Sequence, residues 1–204
     1  MKHLSSRLIS LLLLLLLGAC STTQVQESWR LPGYQPSQPQ KVLVVAMAAK
    51  EGMRKVIETS FSKQLEQKGI TAIPSFHWLP EGTRLNREAV LPVVKQNGIT
   101  TVLVTSVKDV QKSTAYQPEQ STVPEDGLFR NMDTYYAYSS SGQHESGSYA
   151  ALTDYLIETN LFDARNHKLS WSVTTRTSET GSIQKAVDEI VKTTLKQASQ
   201  DKVL

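Results

Sequence analysis

Lys41-Val42-Leu43-Val44-Val45-Ala46-Met47 is the stretch on which the fold turns: an unbroken apolar run, rich in β-branched residues, too short for a buried helix. A strand with one wet face would alternate apolar and polar residues, so this run predicts a strand covered on both faces, the position of a central parallel strand. Downstream, Met53, Val56, Ile57, Phe61 and Leu65 recur at helical spacing between Glu51 and Lys68, and Gly69 stands where a left-handed helix end is needed. Ile70 to Phe76 predicts a second strand, with Pro74 placing it at an edge or a bend. Asn86 reads as the N-cap of a second helix, stapled by Leu85 and Val90 and ended by Asn97-Gly98, with Pro92 kinking it. Ile99 to Val107, continuing toward Lys112, predicts a third strand. Two right-handed crossovers then make this β-α-β-α-β half a parallel sheet.

Tyr155 to Phe162 and Leu169 to Thr175 alternate with period two around the polar turn Asp163-Ala164-Arg165-Asn166-His167-Lys168, which predicts an antiparallel hairpin. Ser182 caps a final helix whose stripe is Ile183, Ala186, Val187, Ile190, Val191, Thr194, Leu195 and Ala198. The expected fold is therefore α/β: a single two-layer or three-layer-like domain, β-α-β-α-β followed by a β-hairpin and a C-terminal helix, spanning residues 41–199. Within it, residues 113–150 hold much Ser, Gly and Gln with Tyr116, Tyr135, Tyr136, Tyr138 and Tyr149 and few aliphatics, and they read as a functional or disordered insertion.

At the N-terminus, Lys2 and Arg7 precede the apolar run Leu8 to Leu17, which suits a secretory signal and falls short of the ~18–20 residues that span a bilayer. It ends in Leu17-Gly18-Ala19-Cys20, and Cys20 is the only cysteine of the 204 residues. That motif resembles the lipobox of bacterial lipoprotein precursors, which implies a signal peptide over residues 1–19 and a lipidated Cys20. A diacylglyceryl thioether with a further acyl chain exceeds the two signals that stable anchoring needs. By the same resemblance Ser21, in place of the Asp that retains enteric lipoproteins at the inner membrane, implies the periplasmic face of the outer membrane. Residues 20–40 then read as a lipidated tether, in which Trp29 and Tyr34 latch the leader onto the domain.

With Cys20 lipidated no thiol remains for disulfides, metal sites or thiol catalysis. The chain has 22 Lys+Arg against 19 Asp+Glu, and removal of the signal segment takes Lys2 and Arg7 and no acid, so no basic footprint for nucleic acid is left. Histidines are few, at 3, 77, 144 and 167, and none has metal-ligand spacing. Gly142-Gln143-His144-Glu145-Ser146-Gly147 lacks the spacing of a nucleophile elbow. Lys50, Gly52, Arg54 and Lys55 stand where a helix N-terminus can hold an anion, although a solvated helix start explains them better. The acids Asp154, Glu158, Asp163, Glu179, Asp188 and Glu189 show no recognisable pair for glycoside hydrolysis in the sequence, which leaves a pair brought together by the fold open, and Trp171 reads as packing.

The element order, with Ser28-Trp29-Arg30 and Pro32 after the lipobox and Leu161-Phe162-Asp163 and Lys168-Leu169-Ser170-Trp171-Ser172 in the hairpin, resembles a group of small proteobacterial outer-membrane lipoproteins. Their fold is like that of the TolB N-terminal domain and the periplasmic domain of the curli secretion lipoprotein CsgG. These motifs are structural, so the resemblance implies a fold rather than an activity. The functional expectation is a non-catalytic, lipid-anchored accessory, assembly or binding protein of the cell envelope, without cofactor or metal. Its membrane partner is reached through Cys20, and an envelope protein is met by Tyr135, Tyr136 and Tyr138. The alternative is a cell-wall or polysaccharide-associated enzyme or glycan-binding domain.

Overall fold

The computed structural model describes residues 22–37, 40–118, 147–178 and 181–204. The elements are β1 (Thr23–Arg30), β2 (Lys41–Met47), α1 (Glu51–Glu66), β3 (Thr71–Pro74), a 3-10 turn (Ser75–His77), α2 (Arg87–Gln96), β4 (Thr101–Pro118), β5 (Gly147–Asp163), β6 (Leu169–Ser178) and α3 (Ile183–Gln200). They build one six-stranded sheet in the order β1-β6-β5-β4-β2-β3. β2 runs parallel to both β3 and β4, and the remaining pairs are antiparallel. The α/β architecture expected from the Val42–Met47 run is the one observed: β2 lies between β3 and β4, with Val42 to Ala46 buried. Pro74 ends β3, the strand at the edge of the sheet, a position that suits a residue without an N–H.

The helix ends follow the expected chemistry. Asn86 accepts from the Ala89 N–H at 3.0 Å, and the Ser182 hydroxyl accepts from the Lys185 N–H at 3.4 Å. Gly69 and Gly98 close their helices at φ 77° and 59°.

The two sheet faces are covered unequally. On one face α1 and α3 bury Val42, Val44, Leu103, Leu161, Trp171 and Val173 against Phe61, Leu65, Val187, Val191 and Leu195. Trp171, fully buried, donates its indole N–H to Asp201 Oδ2 at 2.7 Å and so ties β6 to the end of α3. On the other face α2 packs Val93 and Val94 over Leu43, Val45 and Val102. Because α2 follows β3 and returns to β4, it covers this face only at the β3-β2-β4 side. Toward β1 the face carries Trp29 opposite Ser172 and Glu27 opposite Thr174, with Trp29 43% exposed.

Two boundaries move. Residues 23–30 are not a tether: β1 pairs with β6 from Thr23↔Thr177 to Arg30↔Trp171, and Tyr34 is buried in the core behind it. The strand escaped the apolar pattern because an edge strand with one open face needs few apolar residues, and Val25 and Trp29 are all it has. The insertion also begins later and ends sooner than 113–150, since β4 continues to Pro118 and β5 starts at Gly147, with Tyr116 paired to Tyr149. Residues 1–21, the tyrosines 135, 136 and 138, and His144 lie outside the described residues.

Candidate functional site

A cleft of about 360 Å³ opens where α2 stops covering the sheet. Its floor is Val45, Met47, Val102, Val104 and Phe162, and α2 with its entry supplies Leu85, Val90, Leu91 and Val94. It arises because strand residues that would be buried under a second helix on this face have no helix over them, leaving Met47 45% exposed. The polar lining is Asn86, Arg87, Asp163 and His167. Of these, Asn86 is used as the α2 cap and Asp163 is used by the β5–β6 turn. The volume is at the small end of ligand pockets, and a mainly apolar lining with few polar groups suits an apolar side chain or a short hydrocarbon group.

Asp163 is nearly buried, yet it is held ionised by its neighbour in the turn. Arg165 donates its backbone N–H and Nε to Oδ1 at 2.8 and 2.9 Å, and its terminal nitrogen pairs with Oδ2. These bonds hold the Asp163 carboxyl below its ordinary range against the opposing effect of burial. Glu158 on β5 is shifted in the same direction, first by the Asn160 amide at 3.1 Å and then by Lys108 at 3.1 Å. A general acid at neutral pH needs its pKa raised, so both shifts run away from that role.

At the C-terminal ends of β2 and β3, where ligands often enter open α/β sheets, the chain has built an internal ion pair instead. Glu58 is fully buried, and its Oε1 accepts from the Ala46 N–H at 3.0 Å, Arg54 Nε at 3.0 Å and the Ser75 hydroxyl at 2.7 Å. Its Oε2 accepts from the Phe76 N–H at 3.0 Å. Arg54 spends its remaining donors on Ser75 Oγ, the Leu79 carbonyl and Glu51. The helix start is thus neither solvated at Arg54 nor an anion site using it; Lys50, Gly52 and Lys55 stay on the surface.

The other acids named from the sequence are taken up by neighbouring groups. Asp154 accepts from Ser178, while Asp188 and Glu189, consecutive on α3, accept from Ser60 and Thr22 and line one groove between α1 and α3; Glu179 lies outside the described residues. Among the described residues, no three of His, Cys, Asp and Glu come together as metal ligands, and no helix is long and apolar enough to cross a membrane. The cleft itself was not read from the sequence, because it depends on how far α2 reaches across the sheet. The exposed end of the β2 run, Met47, was its one local sign.

No family model and no curated protein matches this chain. Among solved structures it is similar to the PelC dodecamer from Paraburkholderia phytofirmans, at 16% identity over 84% of this chain and 94% of that one, with a TM-score of 0.45. It is also similar to lipoprotein GNA1162 from Neisseria meningitidis, at 15% identity over 79% of this chain and 99% of that one, with a TM-score of 0.44. Similarity at this level decides neither ancestry nor activity.

Proposed function

We propose that this chain is a lipid-anchored protein of the bacterial envelope that acts by binding a partner protein and performs no catalysis. The kinship with the TolB and CsgG domains and the location at the periplasmic face of the outer membrane belong to the same proposal. The observation that carries it is the apolar cleft beside the uncovered part of the sheet, a surface suited to receive a partner's apolar side chain. The downward shifts of Asp163 and Glu158 leave neither carboxyl poised as a general acid at neutral pH. Tyr135, Tyr136 and Tyr138 are proposed as a second contact with the same partner, since tyrosines offer large contact area at low entropic cost. The test is a photo-crosslinking residue at Met47 in intact cells. An adduct with one envelope protein, lost when Val104→Asp charges the cleft, is expected. Absence of any adduct from Met47, with adducts forming from a site on α1, would contradict the cleft as the contact.

A second reading rests on Trp29. Its exposed ring lies on a polar sheet face beside Ser172, an arrangement that suits stacking on a sugar. Quenching or shift of tryptophan fluorescence by peptidoglycan fragments, abolished in Trp29→Ala, would favour glycan binding over protein contact.

A further inference from the structure

Building on the reading of Cys20 as an acylated anchor, we propose that the first turn of α3 seats on the bilayer, with Ile183 inserted at the boundary between headgroups and acyl chains. The chain is already fixed at Thr22: its backbone N–H and hydroxyl both donate to Glu189 Oε2, at 3.0 and 2.6 Å, and its carbonyl accepts from the Ser178 N–H at 3.3 Å. Cys20 is two residues earlier in sequence, a chain reach of at most about 7 Å. Ile183 precedes Glu189 by six residues, about 9 Å along the helix toward its N-terminus. β6 ends at Ser178 and the chain turns into α3 at Ser182, so the start of β1 and the start of α3 share one end of the sheet. Ile183 therefore reaches the level of the anchor.

Its sequence phase is that of Val187, Val191 and Leu195, all buried, yet Ile183, in the first turn of the helix, is 62% exposed. Among the described residues it is the most exposed of the large apolar ones. Its neighbours Gln184 and Lys185 are exposed, as suits a helix end lying among headgroups. The row Thr23, Thr177, Tyr155, Val110 crosses the sheet at the same end, and the β4–β5 arm continues beyond it to Pro118. The arm's exposed Gln111 and Lys112 are costly in hydrocarbon, so the domain tilts and the arm lies along the surface.

Once Cys20 is acylated, any introduced cysteine is unique. The full mature lipoprotein, its acylation checked by intact mass, is labelled with an environment-sensitive fluorophore at Ile183→Cys or Lys196→Cys and reconstituted in phosphatidylethanolamine/phosphatidylglycerol vesicles. A blue-shifted emission and several-fold stronger quenching by lipids spin-labelled near the headgroup are expected at position 183 relative to position 196. Equal, solvent-like behaviour at both positions in acylated protein overturns the seating and leaves the anchor standing. Absence of acyl mass overturns both.

Discussion

Thr22 and Glu189 are 167 residues apart and share one carboxylate oxygen, which accepts both the backbone N–H and the hydroxyl of Thr22. The contact marks where the leader becomes part of the domain, because the next residue, Thr23, is buried and already opposite Thr177 in the ladder. On the proposed reading of Cys20 as the anchor, only Ser21 separates it in sequence from Thr22.

The leader therefore contributes stability. Deleting residues 22–34 removes β1, the packing of Val25 and Leu31, and the buried Tyr34, and should cost on the order of 4 kcal/mol at the usual yield per buried apolar side chain. Urea denaturation of the truncated and full domains measures this. Equal midpoints would restore the tether.

Glu58→Ala leaves buried Arg54 with only the looser contact to Glu51 at 3.3 Å, and two backbone N–H groups, of Ala46 and Phe76, without an acceptor. A loss of about 3–5 kcal/mol is expected. Arg54→Met combined with Glu58→Leu should recover only part of it, since removing both charges still leaves those two N–H groups unpaired. Chemical denaturation of the single and double variants tests the order. Full recovery would mean that the backbone bonds carry nothing.

Leu195→Asp and Ile183→Asp place the same charge on one helical stripe with opposite results. Leu195 is fully packed between α3 and the sheet, and its replacement should cost several kcal/mol out of the ~5–15 kcal/mol typical of a domain. Ile183 is exposed, and its replacement should change the stability of the soluble domain by no more than ~0.5 kcal/mol. Thermal melts of the two variants would contradict this placement of α3 if their shifts were equal.

Asp163 makes the domain acid-labile in a defined direction. Its folded pKa lies below the unfolded value, so its contribution is fully present above about pH 4 and is lost as pH falls through the folded value. Asp163→Asn should flatten the decline of stability below that pH while lowering stability at neutrality. A variant with the wild-type acid slope would show that the Arg165 contact does not set it.

What the sequence disclosed was whatever required apolar periodicity. The Val42–Ala46 run gave the central strand, Pro74 the edge, and Asn86 and Ser182 the caps, because each of those choices is made by local chemistry. Thr23–Arg30 stayed hidden because an edge strand with a solvated face carries almost no apolar pattern. Thr101–Pro118 outran its apolar part for a related reason: Gln111 to Thr114 are held by ladder bonds to β5 and bury little. Arg54 reads from the sequence only as part of the helix start and Glu58 gives no signal, since the groups that make them interior, Ser75 and the Ala46 and Phe76 amides, come from other elements. The cleft depends on the length of α2 against the width of the sheet, which no local pattern encodes.

The account rests first on Cys20, and intact-mass spectrometry of the mature protein extracted from membranes tests it most directly. A chain beginning at Cys20 and carrying diacylglyceryl plus a third acyl chain is the predicted result, with Cys20→Ser losing the added mass and leaving the membrane fraction. A mature wild-type chain with an unmodified Cys20, or one cleaved elsewhere, would contradict it.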